Sequence, residues 1–315
     1  MKHSLIALLA ALAATAGLAQ EKYPSRPVEM IVPWGAGGGA DQLARKLARL
    51  MEERVKVSIP VVNVPGATGS TGMTKLVTAP ADGYAMAIHI ADTHALLATS
   101  SPRWKANDFI PLGIMIRQPS ALLVKKDSPF KTWNDVVKAA KANPGKLKVA
   151  MLGFGSVDDM ALKYLEGKGL KFTPVPYAKP GERYTAILGG HTDLLYEQPG
   201  DVRSFIDSGQ MRPILIFNKE RMLPEFADVV CSKEAGLEVY LPQFRSVVVR
   251  AGTDPKRVAV LADAVAAAAA EPEFYAFLKE SLALRDSFIP AKEAKKFLDG
   301  ELAAMDKFAA QLKKK

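Results

Sequence analysis

An α/β fold in two domains, with a ligand cleft between them, is what this sequence predicts. Three observations lead there. Strand-like apolar runs alternate with helix-like amphipathic runs across 28–97 and again across 121–217. Two strand-to-helix turns are rich in glycine, at 35–39 and at 153–155. After residue 252 the chain reads as helix alone and forms no alternating unit of its own. The simplest packing returns that tail to the first domain, giving 20–121 with 245–315 as domain 1 and 122–244 as domain 2. Small ligands are expected in the cleft between two such units.

The chain opens differently. "MKHSLIALLAALAATAGLA" has a basic start at Lys2, an apolar centre and a small-x-small end. That is a secretory signal peptide, 1–19, cleaved after Ala19. Its apolar centre is too short to span a bilayer. In a Gram-negative cell the mature chain is then periplasmic. The single cysteine, Cys231, forms no internal disulfide and reads as a buried small hydrophobe. Formal charge is +9, or +8 once Lys2 is removed (41 basic against 33 acidic residues). The basic residues are spread out, with one run at Lys313-Lys314-Lys315. A solvated basic surface that attracts anionic solutes is expected, and no nucleic-acid partner.

The elements follow in order. "PVEMIVPW" reads as a buried strand, then the glycine loop, then a helix with Leu43, Leu47, Leu50 and Met51 on one face. "VKVSIPVVNVPG" is a second strand ending in the loop "NVPGATGSTG". "MTKLVTA" is a short helix and "YAMAIHI" a third strand. From Pro119 a second unit begins with the strand "ALLVKK" and the helix "KTWNDVVKAAKANPG". "KLKVAMLGFGSVDDMALKYLEGKG" is again strand, glycine loop and helix. Strands at "FTPVPYA", "HTDLLYEQ" and "MRPILIFNK" complete it, and "RSVVVRAG" leads into the helical tail.

Gly35 to Ala40 matches G-x-G-x-x-[GA], the dinucleotide fingerprint. That chemistry also needs an acid some 20 residues on, to hold the ribose hydroxyls. The second strand ends instead at Asn63 in "VVNVPG". NAD and ATP are also not free reagents outside the cytoplasm, so no cofactor is expected. The physical core of the motif remains. A glycine loop at a helix N-terminus presents unpaired amides and the positive end of the helix dipole, which suit a carboxylate as well as a phosphate. His89, His94 and His191 lack metal-ligand spacing, and no G-x-S-x-G elbow occurs. Neither a metal site nor an enzyme is expected.

"YPSRPVEMIVPWGAGGGADQLAR", "VVNVPGATGSTG" and "PADGYAMAI" together resemble the substrate-binding proteins of tripartite tricarboxylate transporters, the Bug or TctC-like family. The resemblance continues through "SPFKTWNDVVKAAKANPGKL", "ILGGHTDLLYEQ" and "SKEAGL". It implies a two-domain periplasmic binding protein of type II-like fold. Such a protein closes as a monomer on a small carboxylate and passes it, unreacted, to membrane transporter subunits.

Carried over by position, the resemblance places backbone amides of Gly37, Gly38 and Gly39 at the carboxylate, with Trp34 walling the pocket. Pro65, Gly66, Ala67, Thr68, Gly69, Ser70 and Thr71 would supply further amides and hydroxyls. Thr93 and His94 match a polar pair after the third strand. In the second domain Gly155, Ser156, Tyr177 and Glu197 fall at family positions, with Ser156 and Asp159 spaced as a capping box. Asp158 and Asp159 depart from the family pattern and oppose an anion at that helix. The far end of the ligand is then neutral, hydroxylated or cationic, or else Arg245 supplies a positive charge for a second carboxylate. A sensor that passes the same ligand state to a membrane receptor fits these residues equally.

Overall fold

The computed structural model describes residues 22–222, 224–241 and 243–313. The signal segment expected at 1–19 and two of the three C-terminal lysines lie outside them. β1 (Glu29–Val32) buries Met30, Ile31 and Val32 and feeds α1 (Gly39–Val55). α1 turns Leu43, Leu47, Leu50 and Met51 inward, the one face their spacing dictates. It ends at Lys56 in a left-handed conformation, whose amide closes on Glu52 O. β2 (Val61–Asn63), α2 (Ser70–Thr78), β3 (Ala85–Ile90) and α3 (Ala91–Thr99) follow. β1 pairs parallel to both β2 and β3, as strand–helix–strand crossovers require.

β4 (Phe109–Gln118) and β5 (Ser120–Lys125) are separated by Pro119 alone, and there the chain passes from one sheet to the other. α4 (Trp133–Ala142) starts from a capping box of Thr132 and Asp135. β6 (Lys148–Met151), α5 (Val157–Glu166), β7 (Thr173–Pro176), α6 (Pro180–Leu188), β8 (Leu194–Glu197), the short α7 (Arg203–Asp207) and β9 (Met211–Phe217) build the second unit. β10 (Gln243–Arg250) returns to the first sheet. α8 (Pro255–Ala270), α9 (Pro272–Glu280), β11 (Ile289–Pro290) and α10 (Ala291–Leu312) close the described chain.

The first sheet runs β11-β4-β10-β3-β1-β2 and the second β7-β6-β8-β5-β9. Neither is parallel throughout. β10 lies antiparallel to β3 and β4, and β5 antiparallel to β8 and β9. β4 is a ten-residue strand that the sequence reading leaves unassigned. The tail joins the first sheet through β10 and β11, but α10 does not stay there. It packs on β4, α3 and α5. Met305 and Ala309 share one apolar cluster with Val157, Met160 and Leu165 of the second unit. Tyr164 and Phe308 stack with ring centroids 5.7 Å apart. The two sheets define two lobes, and α10 is a strap across both.

Candidate functional site

The glycine loops of the two lobes face each other. Gly35 N donates to Ala178 O at 3.4 Å. Thr68 Oγ1 donates to Phe154 O at 3.0 Å, and Thr99 Oγ1 to Gly155 O at 2.7 Å. Val157 N donates to Asp92 Oδ1 at 3.1 Å, and Arg245 forms an ion pair with Asp201. Each contact joins a first-lobe residue to a second-lobe one.

In the first loop, Gly37 takes φ +86°, and its amide donates to Asp41 Oδ2 at 3.0 Å. Asp41 also accepts from Arg45 and from Asn63 Nδ2, each at 3.0 Å. Burial alone would raise its carboxyl, but the bonds from Arg45, Gly37 and Asn63 outweigh it and hold the group below its ordinary range. The Gly37 amide, expected at the ligand, is therefore already used. The amides of Gly38, Gly39 and Ala40 are different. Among the described residues no protein acceptor meets them. Gly38 is extended (φ −85°), so its need for glycine is one of space. A Cβ there would lie 2.5 Å from Pro180 Cγ of the opposite lobe. A Cβ on Gly39 would run into the Asp201 carboxylate and the Arg245 guanidinium. Trp34 is buried, with its Nε1 unpartnered.

The second loop is wound left-handed, with positive φ at Gly66, Ala67, Thr68 and Gly69. Ala67 and Thr68 are not glycines, so each stores roughly 1–2 kcal/mol of strain. Pro65 is half-buried at the head of this loop. Thr68 points across to the other lobe. Ser70 does not, because its Oγ accepts from Trp104 Nε1 at 3.0 Å. Thr71 packs against Gly66, and Thr93 lies buried against Gly69 with its Oγ1 unpartnered.

The α5 end repeats the α1 end. Gly155 (φ +78°) donates its amide to Asp159 Oδ2 at 2.9 Å, and Lys163 bonds the same oxygen at 2.8 Å. Gly37, Asp41 and Arg45 have the same spacing. Ser156 Oγ accepts from Asp159 N at 3.2 Å, one arm of the expected capping box. The other arm is missing, because Asp159 serves Gly155 instead. With Asp92 on Val157 N, the start of α5 is occupied by protein groups. Gly155 and Ser156 thus serve their own helix here.

His94 is likewise engaged by protein groups. Its Nδ1 lies 3.0 Å from His89 Nε2 and its Nε2 3.0 Å from Leu298 O, beneath α10. His89 and His94, five residues apart, are thus in contact. Tyr177 is half-buried and leads into the 178–180 segment that meets the first loop. Its carbonyl accepts from Arg183 Nη1 at 3.1 Å. Glu197 is buried in an ion pair with Arg183 and accepts from Tyr184 OH at 3.1 Å. Arg245 is not a free cation, since Asp201 neutralises it, with Gln118 and Gln198 alongside. The boundary thus holds the buried side chains of Asp92, Asp158, Glu197 and Asp201 together with those of Arg183 and Arg245. Burial raises Asp201, although Arg245 pulls it down.

Sequence reasoning missed Asp92, Arg183 and Asp201, and gave Asp158 no partner. Each lies in or beside the first turn of a helix, where polar residues are ordinary, so spacing alone does not mark them. A groove of about 880 Å³ between α4 and β9 shares no residue with these loops.

The family model for the tripartite tricarboxylate transporter family receptor matches residues 43–310. A UPF0065 protein from the TAR-I ttuE-ttuC' intergenic region of Agrobacterium vitis is 32% identical over 70% of this chain, which spans 64% of that relative. BugT of Bordetella pertussis is 28% identical over 82% of each chain. Among solved structures, the periplasmic binding protein BugD superposes with a TM-score of 0.85 at 24% identity, covering 92% of this chain and 98% of BugD. MatC from Rhodopseudomonas palustris with bound malate gives 0.84 at 25% identity, covering 91% of this chain and all of MatC. The chain belongs to the tripartite tricarboxylate transporter receptor family.

Proposed function

We propose that this protein captures a small organic carboxylate between its lobes and delivers it to the membrane subunits of a tripartite tricarboxylate transporter. It does so in the periplasm, as a monomer. The carrying observation is the start of α1, where the amides of Gly38, Gly39 and Ala40 reach the lobe boundary without a protein acceptor. A helix N-terminus favours negative charge, and buried N–H groups are costly to leave unpaired. Asp201 stands beside Gly39 with its charge balanced by Arg245, so a ligand carboxylate there meets no net negative charge. The malate bound by MatC supports a ligand of this class. The site binds and does not react. The boundary carboxyls are tied to arginines, helix amides or each other, and none is poised as a base beside a nucleophile.

A thermal-shift screen tests this reading. The mature protein is heated with mono-, di- and tricarboxylates, and with NAD and ATP. At least one carboxylate should stabilise it, by roughly 2.7 kcal/mol at 100 times its Kd. Stabilisation by a nucleotide and by no carboxylate would contradict the reading.

A further inference from the structure

Asp92 begins α3 in the first lobe, and Asp158 begins α5 in the second. Both are fully buried. One oxygen of each has a partner. Asp92 Oδ1 accepts from Val157 N at 3.1 Å, and Asp158 Oδ2 from Leu152 N at 2.9 Å. The other oxygens, Asp92 Oδ2 and Asp158 Oδ1, have none, although the two side chains are within hydrogen-bonding reach of each other. A carboxylate only accepts, so two ionised groups here would leave both oxygens bare and set two charges against each other in a dry interior. One proton resolves both problems. We propose that Asp92 and Asp158 form a binding site for a single proton at the boundary between the lobes, and that this proton fastens the lobes together.

The surroundings say which partner holds it. Asp92 receives the Val157 amide at the positive end of α5, and Gln243 of β10 lies beside it. Glu197 on β8 faces both carboxyls, and Arg183 of α6, the nearest cation, is engaged by Glu197. Tyr196 of β8 is the remaining titratable neighbour. Asp92 is therefore the carboxylate, and Asp158 the acid that donates from Oδ1 to Asp92 Oδ2. Burial, the largest cause for both, raises Asp92 to about 6 and Asp158 well above its ordinary value. Separated and solvated, each carboxyl would return to about 3.9. The joined lobes thus bind more protons than the separated ones through the neutral range. Their union weakens as pH rises through the upper step of the pair.

The ligand-free protein is the test material. At about pH 7 the infrared spectrum should show a protonated carboxyl, sensitive to deuterium exchange and absent from Asp158→Asn. Asparagine still accepts from Leu152 and still donates to Asp92, but carries no titrating proton. Small-angle scattering from about pH 6.5 to about pH 9.5 should show the parent expanding and Asp158→Asn staying compact. Should Asp158→Asn not fold, Asp92→Asn replaces it, with the donor reversed and the same two results expected. A parent spectrum whose carboxyl band survives the substitution would overturn the proposal. So would a parent of constant radius of gyration, or a variant that expands alongside it. None of these readings needs a ligand, so they stand apart from the carboxylate screen.

Discussion

His94 Nε2 meets the Leu298 carbonyl, which only accepts, so the ring proton sits on Nε2. His94 Nδ1 must then accept from His89 Nε2–H, and His89 Nδ1 is left as a lone pair, in keeping with its lack of a partner. Both rings are neutral. Burial is the main cause, and it lowers His94 to about 4 and His89 well below its ordinary value. Unfolded histidines take up protons near 6.5, where the folded pair cannot. Stability should therefore fall as pH drops from about 6.5 towards about 4, opposite in sign to the carboxyl pair. Denaturant midpoints across that range should show the loss in the parent and a shallower one in His94→Gln. At this scale the sequence showed which residue types were present but not where they pointed. "GSVDD" announces a helix start, and Ser156 does cap it. The histidine contact is hidden because His89 lies one residue before the end of a strand and His94 one turn into the next helix, a junction that no simple period describes.

Among the elements, β4 and the two-residue β11 were left unread. Pro111 and Gly113 punctuate "FIPLGIMIRQ", yet every residue from Leu112 to Ile116 other than glycine is fully buried, and Gly113 is packed against Phe288. Register shifts in its pairing with β10 accommodate the interruption. The helices were legible because their apolar faces repeat. α10 shows the limit of that signal, since periodicity gives a buried face and not what covers it. The face turned out to cover both lobes. Met305→Ala should cost roughly 2–5 kcal/mol, because the side chain is 1% exposed in a cluster drawn from both units. Gly300→Ala, on the exposed side with nothing within 4 Å of a new Cβ, should stabilise by roughly 0.5–1 kcal/mol. Urea unfolding of both variants gives the sign and size of each change.

For the whole molecule, alternation of strand and helix was enough to predict an α/β fold with two units, and two sheets are found. The antiparallel strands were not legible, because pairing direction depends on how distant segments meet. The same holds at the boundary. The glycine run was visible, but its closeness to Pro180 and Asp201 arises only once the lobes face each other. The central claim, a carboxylate held at the start of α1 by facing lobes, is tested most directly by calorimetry. The tightest carboxylate from the screen is titrated into the parent, Gly38→Val and Gly181→Ala. A branched side chain at Gly38 would obstruct the amides and strike Pro180, whereas Gly181 has open space around its Cβ position. Gly38→Val should bind at least about tenfold more weakly, a loss of about 1.4 kcal/mol, and Gly181→Ala should bind like the parent. A folded Gly38→Val that binds like the parent would contradict the claim.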